Sequence, residues 1–331
     1  MLTLHRNENL FGLSPAVRFV LQSSCPVVYQ YPGDELMLLQ KLLARLAGLH
    51  SPLVMVGAGS TEVLRIALAD WLRQPAARLF CLEPVYPPVL VLAGGLAPVT
   101  LVPPGVGWRP DLTALRREVG RHDGSAVVYL SNPDCHSGEL FSRDELSAWL
   151  GNTPPRVRFI IDEAYMEFVP QHRDATLLPC VADFAGRLLV LRTFSKAYGL
   201  AGLRIGYGLG DTLPGADALA CGVGVLAVRA ALEALDDHGW IEHSRCLMLA
   251  ARTHLQQGLT SLGLVWLNGQ GNFVLHTLPA GGRNFGAALR PYGIRVAYPL
   301  AGLPGWCRTT VGTIADMNYY LSVLSTLVHE D

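Results

Sequence analysis

The chemistry-bearing residues of this chain concentrate in one run, Arg192-Thr193-Phe194-Ser195-Lys196-Ala197-Tyr198-Gly199-Leu200-Ala201-Gly202-Leu203-Arg204-Ile205-Gly206. Lys196 follows an apolar stretch, Leu188 to Leu191, that reads as a buried strand. Arg204 comes eight residues later, beyond a glycine-rich bend. A lysine desolvated beside a second cation gives up its proton and becomes a nucleophile toward a carbonyl. The hydroxyls of Thr193 and Ser195, with Arg204, are suited to hold a phosphate beside it. A carbonyl-reactive lysine next to a phosphate clamp points to pyridoxal 5'-phosphate (PLP). Upstream, Phe159-Ile160-Ile161-Asp162-Glu163-Ala164-Tyr165 sets a carboxylate and a tyrosine at the end of another apolar strand. From there Asp162 can reach a ligand crevice and keep a pyridine nitrogen protonated, which makes the ring an electron sink. Tyr165 can donate to the ring's phenolic oxygen. Gly57-Ala58-Gly59-Ser60-Thr61-Glu62 joins a strand to a helix start, where free N–H groups and the helix dipole favour an anion. Each motif alone has an ordinary structural explanation; their conjunction carries the functional one.

The surrounding elements are expected to place these residues on one sheet. Leu53 to Gly57, Arg78 to Leu82, Ala97 to Val102, Ala126 to Leu130, Phe159 to Asp162, Leu188 to Arg192 and Leu203 to Leu209 read as strands. Helical stretches lie between them at Ser60 to Leu72, Asp111 to Arg121 and Arg143 to Leu150, the last opened by a capping box of Ser142 and Glu145. This alternation predicts an α/β fold, a mostly parallel sheet covered by helices. After about Gly210 the pattern changes. Helices at Ala216 to Leu235 and Trp240 to Leu262 precede strands at Leu264 to Leu267, Asn272 to Leu278 and Arg308 to Val311, then a helix from Ala315 to Val328. These describe a smaller α+β domain.

With 331 residues, half of them hydrophobic and 16% charged, the chain can bury a large core and still offer a subunit interface. Its net charge of −1, without a long basic run, implies neither nucleic acid nor an anionic membrane as partner. Seven cysteines without a C-x-x-C pair or a histidine at metal spacing read as reduced thiols of a cytoplasmic protein, with no metal centre. His5, Arg6, Asn7 and Glu8 stand where an export signal needs apolar residues. The uncharged stretch from Pro84 to Gly107 holds too many prolines and glycines for a membrane helix.

These motifs resemble those of fold-type I PLP enzymes, and within them the histidinol-phosphate aminotransferases. The resemblance runs nearly end to end, through Asn7-Glu8-Asn9, Tyr31-Pro32, Gly57 to Glu62, Pro84-Val85-Tyr86, Asn132-Pro133, Asp162 to Tyr165, Arg192 to Gly206, Asn272-Phe273 and Arg308-Thr309-Thr310-Val311-Gly312. It implies an N-terminal arm with a dimer contact (1–32), a large PLP-binding domain (33–235) and a small C-terminal domain (236–331). It further implies that Lys196 carries PLP, that Asp162 and Tyr165 serve the ring, and that Tyr86 stacks on it. Gly59, Ser60, Thr61, Thr193, Ser195 and Arg204 would form the phosphate cup, which Tyr31 of a second subunit reaches in a homodimer. Arg308 would grip the substrate's anionic group, with Asn7 and Asn272 lining the same cleft.

Two departures stand out. The family's Asn-Pro-Asn-Asn-Pro-Thr-Gly is here Asn132-Pro133-Asp134-Cys135-His136-Ser137-Gly138, so a weakly donating thiol replaces the amide that faces the phenolic oxygen. The family's Gly-Ile-x-Val-Arg is Gly293-Ile294-Arg295-Val296-Ala297, so a substrate arginine is missing. Arg295 lies on the same strand face two positions earlier and is the available substitute. The activity implied is amino-group transfer between an amino acid or amine and a 2-oxo acid. The alternatives are decarboxylation, as in threonine-phosphate decarboxylase, or a PLP-binding protein with reduced catalysis.

Overall fold

The computed structural model describes residues 1–49, 53–170, 172–210, 219, 222–279 and 284–329. Eleven strands form among them, in chain order β1 (Leu2–Leu4), β2 (Val54–Gly57), β3 (Arg78–Leu82), β4 (Val99–Val102), β5 (Ala126–Ser131), β6 (Val157–Asp162), β7 (Leu188–Thr193), β8 (Gly206–Leu209), β9 (Phe273–Thr277), β10 (Ile294–Val296) and β11 (Trp306–Thr310). Seven make one sheet in the order β2-β8-β7-β6-β5-β3-β4. Only β8 runs against its neighbours; the others share a direction, as the helical crossovers between them require.

Both faces of this sheet are covered, so its strands are apolar along their whole length. Along β6, Phe159 and Ile161 pack with Val128 and Val190 on one face, while Ile160 joins Tyr129 and Leu191 on the other. Each such side chain contributes about 1.5–3 kcal/mol on leaving water. The ends of β2, β5, β6 and β7 open on one edge. There Ser131 lies opposite Asp162, and Gly206 lies opposite both Thr193 and Gly57. Functional side chains thus follow directly from buried strands. That edge is where open α/β sheets bind ligands.

Helix starts form where local caps exist. Ser142 Oγ accepts from the Glu145 N–H at 3.1 Å and opens the helix Arg143–Gly151; Asp111 does the same for Leu112–Gly120 from Ala114 at 2.8 Å. Such caps are worth about 1 kcal/mol each. The long helix His238–Ser261 packs on the helix Ile314–His329 and on the antiparallel pair β9–β11. The N-terminal segment joins that half of the molecule, because β1 pairs in parallel with β10.

Several elements differ from expectation. The predicted helix from Ala216 begins at Val225, and residues 211–218, 220 and 221 lie outside the described residues. Leu264 to Leu267 forms no strand, only an isolated bridge between Trp266 and His276. The strand expected from Leu203 starts at Gly206, because Leu203 closes a short turn and Arg204 takes a positive φ of 51°. Helices at Pro15–Ser24 and Asp34–Ala47 were not anticipated; their apolar faces pack on Val225–Asp236.

Candidate active site

Lys196 sits on the turn after β7, half-buried at the sheet edge. Its Nζ donates to the Arg6 carbonyl at 2.8 Å and lies 5.6 Å from the centre of the Tyr165 ring. Burial lowers its pKa to about 8, helped by the nearby Arg308 charge and opposed by Glu8 and Asp162. A far larger fraction of the amine is therefore unprotonated near neutral pH than for a free lysine.

Asp162 ends β6 and is buried. Its Oδ2 accepts from the Tyr129 hydroxyl at 2.7 Å and its Oδ1 from the Ala164 N–H at 3.1 Å. Burial pushes the carboxyl pKa up, and these two donors pull it back. Tyr165 is buried three residues on, edge to face with Phe273 at 5.1 Å, and its hydroxyl accepts from Asn7 Nδ2 at 3.0 Å.

Ser60 and Thr61 begin the helix Ser60–Trp71, and Glu62 folds back to accept from the Ala58 N–H at 2.7 Å. Gly59 has a φ of +83°, and a Cβ there would stand 2.5 Å from the Arg204 guanidinium. A Cβ on Gly206 would meet the Ser60 nitrogen at 2.3 Å. Both glycines let β8, the helix start and Arg204 converge. Thr193 Oγ1 accepts from the Ser195 N–H at 3.1 Å, and Arg204 Nη1 reaches Ser195 Oγ at 3.5 Å. Tyr86 Oη lies 3.2 Å from Thr61 Oγ1.

Ser60, Thr61, Tyr86, Cys135, Asp162, Tyr165, Thr193, Ser195, Lys196 and Arg204 all line one crevice of about 360 Å³. The expected site residues from 60 to 204 are thus brought together from the ends of β2, β3, β5, β6 and β7 and the start of β8. The crevice suits PLP in three respects. A hydroxyl-and-guanidinium cup stands at a helix N-terminus, a buried carboxylate lines the same crevice, and so does one lysine, Lys196.

Other expected residues are placed differently. Cys135 lines the crevice, but its sulfur lies 3.1 Å from His136 Nδ1. Burial raises the thiol pKa and lowers the imidazole to about 3, so both stay neutral and paired with each other. Asp134, Cys135 and His136 bring ligand atoms within 4.8 Å of one another, a grouping that spacing did not suggest. Asp134 Oδ1 already accepts from the His136 and Ser137 N–H groups and the Ser137 hydroxyl. Arg308 is half-buried; it donates to the Cys135 carbonyl at 2.6 Å and the His5 carbonyl at 3.2 Å, and does not line the crevice. Asn272 Nδ2 donates to the carbonyls of Asn7 and Glu8, which holds the N-terminal segment over Lys196. Arg295 is exposed on β10 opposite Thr3 and does not line the crevice either. Tyr31 is 93% exposed and lies apart from the chain's own crevice.

Arg6 and Glu8 line the crevice and were not anticipated, although they flank the buried Asn7. Tyr129 was missed as well. Within an apolar run its ring reads as core, and only the register with β6 reveals that it meets Asp162.

A family model described as aminotransferase class I and II matches residues 1–324. A histidinol-phosphate aminotransferase 2 of Pseudomonas fluorescens is 33% identical over 98% of this chain and 88% of its own length. A histidinol-phosphate aminotransferase of Symbiobacterium thermophilum is 31% identical over 100% of this chain and 91% of its own. Among solved structures, histidinol-phosphate aminotransferase from Sinorhizobium meliloti, in complex with PLP, superposes with a TM-score of 0.88. It is 28% identical, covering 99% of this chain and 91% of that one. Solved decarboxylases share the fold at 20% identity, which carries the fold alone.

Proposed function

This chain belongs to the class I and II aminotransferase family, and from that premise we infer a PLP-dependent aminotransferase with Lys196 as its cofactor-bearing residue. The observation that carries the assignment is that Lys196 shares one crevice with Asp162 and the Ser60–Thr61–Ser195–Arg204 cup. Bound there, PLP supplies an aldehyde that takes up an amino group and a protonated ring that draws electrons from the substrate's α-carbon. The chain's own residues do the rest. Arg204, the hydroxyls of Ser60, Thr61, Thr193 and Ser195 and the helix N-terminus would hold the phosphate; Asp162 would keep the ring nitrogen protonated; Tyr86 would cover the ring; Tyr165, oriented by Asn7, would donate to the phenolic oxygen. Lys196 then moves the α-proton as general base, a task that its lowered pKa suits.

The substrates are an amino acid or amine and a 2-oxo acid. Arg308 is assigned to the substrate carboxylate, from a position fixed by two carbonyls. With Ala297 in place of the family arginine and Arg295 exposed, a substrate with one carboxylate and no phosphate is expected to be preferred. A missing charged hydrogen bond costs a phosphorylated substrate roughly ten- to a hundred-fold. Steady-state comparison of histidinol phosphate with unphosphorylated aromatic and aliphatic amino acids measures this. Histidinol phosphate as best substrate by a wide margin would mean that another cation holds its phosphate. Conversion of the bound cofactor's absorbance by an amino-acid panel tests the reaction itself, and carbon dioxide release would favour the decarboxylase.

The active unit is a homodimer in this account. Phe19, Val28, Tyr29, Tyr31, Met37 and Leu38 form an exposed apolar surface on and between the helices Pro15–Ser24 and Asp34–Ala47. A partner covering it would bring its Tyr31 toward Arg204. Mixing inactive Tyr31→Phe and Lys196→Ala chains should restore activity through hybrids with one intact site. A fully active monomer in sedimentation contradicts the arrangement. The divisions near 32 and 235 follow the same reading, with the boundary where Val225–Asp236, packed on β2 and β8, gives way to His238–Ser261. A cytoplasmic setting accords with the six free cysteines among the described residues, and no described helix is long and apolar enough to cross a membrane.

A further inference from the structure

Tyr129 lies on β5 opposite Ile160, two residue pairs before Ser131 meets Asp162, and is 2% exposed. Its ring fills apolar space beside Leu79, Ile160 and Leu191, which phenylalanine would fill as well. Its hydroxyl does something phenylalanine cannot: it donates to Asp162 Oδ2 at 2.7 Å. With the Ala164 N–H on Oδ1, each carboxylate oxygen has one donor from the protein. Each therefore keeps accepting capacity for a donor arriving from the crevice that Asp162 lines.

We propose that Tyr129 is a positioning residue for cofactor chemistry, orienting Asp162 and keeping it a carboxylate when a ring nitrogen lies against it. The proposal rests on the assignment of Asp162 as the ring-nitrogen partner. A carboxylate taken out of water becomes a stronger base. Without donors it would take the proton it shares with the ring nitrogen, leaving a neutral acid beside a neutral ring and no electron sink. Burial does push Asp162 upward, and the hydrogen bond from Tyr129 is the largest influence pulling it down. The phenol cannot ionise instead, because burial and the neighbouring carboxylate hold its pKa well above the ordinary value. Tyr129 is thus fixed as the donor and Asp162 as the acceptor.

The test compares wild type with Tyr129→Phe, both loaded with PLP labelled with nitrogen-15 in the ring. The ring-nitrogen chemical shift, kcat, KM and the lysine labelled by borohydride are measured. Label on Lys196 is expected in both. In the variant the nitrogen signal should move toward the unprotonated position. Its kcat should fall about ten-fold, the weight of one hydrogen bond to a charged group, with KM nearly unchanged. Placing 3-fluorotyrosine at position 129 keeps the packing and strengthens the donor, and should move the signal the opposite way. A native signal and native kcat in Tyr129→Phe, or no movement with 3-fluorotyrosine, overturns the proposal. If Tyr129→Phe fails to fold, the fluorotyrosine shift decides alone. Wild type labelled away from Lys196 would instead remove the underlying assignment, and the proposal with it.

Discussion

Asp162→Ala should lower kcat by about 10²- to 10³-fold while leaving PLP attached to Lys196, because stripping the partner from a buried charge costs about 3–5 kcal/mol. The loss falls on kcat rather than on cofactor retention. The phosphate cup (Ser60, Thr61, Thr193, Ser195 and Arg204) makes no hydrogen bond to the Asp162 side chain, whose partners among the described residues are Tyr129 and Ala164, and is untouched by the change. The substitution also orphans two donors, the Tyr129 hydroxyl and the Ala164 N–H, so a fall in Tm should accompany it. Asp162→Asn separates the two effects. It keeps an oxygen acceptor and the shape but carries no charge, so its stability should stay close to wild type while kcat falls as in the alanine variant. Steady-state kinetics beside thermal unfolding makes the comparison. Near-native turnover in Asp162→Ala would show that the carboxylate is structural.

Lys196→Ala should abolish turnover, by at least about 10⁴-fold, since it removes the cofactor's attachment and a general base that alone is worth about 10²–10⁴. Lys196→Arg is the informative companion. It restores a cation that can still donate to the Arg6 carbonyl, but a guanidinium stays protonated and cannot serve as nucleophile or base. Both variants should therefore be inactive, and the arginine variant should recover whatever stability the contact to residue 6 contributes. Single-turnover assays with the best amino donor provide the measurement. Activity in Lys196→Arg within about ten-fold of wild type would exclude proton transfer by this side chain as essential.

The parts of the site legible in the sequence share one physical origin. Asp162 and Thr193 end apolar runs long enough to be recognised as buried strands, and a polar residue at such an end is forced to the sheet edge. The glycines at 57 and 59 mark the turn into the helix that begins at Ser60 for the same reason, since the chain must reverse there in little space. What sequence patterns hid depends on contacts between distant segments. The N-terminal segment crosses about 190 residues of sequence to set its Arg6 carbonyl on Lys196, and nothing local announces that. Tyr129 is masked by its own burial. Cys135 and His136 would point to opposite sides in a strand, yet in the loop after β5 their sulfur and nitrogen converge. Arg295 does occupy a strand, as its standing in for the residue at Ala297 required, but its own side chain is exposed while Ala297 is half-buried. Helix starts were predicted where caps exist, as at Ser142, and missed in the N-terminal segment. There the helix Asp34–Ala47 follows Gly33, which offers no side-chain cap, whereas Pro15–Ser24 does carry one, Ser14 Oγ accepting from the Val17 N–H at 3.0 Å, and was missed all the same.

Borohydride reduction of the PLP-loaded protein, followed by peptide mass mapping, tests the central claim most directly. The chain contains two lysines, Lys41 and Lys196. Lys41 is exposed on the helix Asp34–Ala47, away from the crevice, and serves as an internal control for nonspecific reaction. The account predicts one reduced pyridoxyl group per chain, on the peptide containing Lys196, with Lys41 unmodified. Label on Lys41 with Lys196 free, or no label at all, would contradict it.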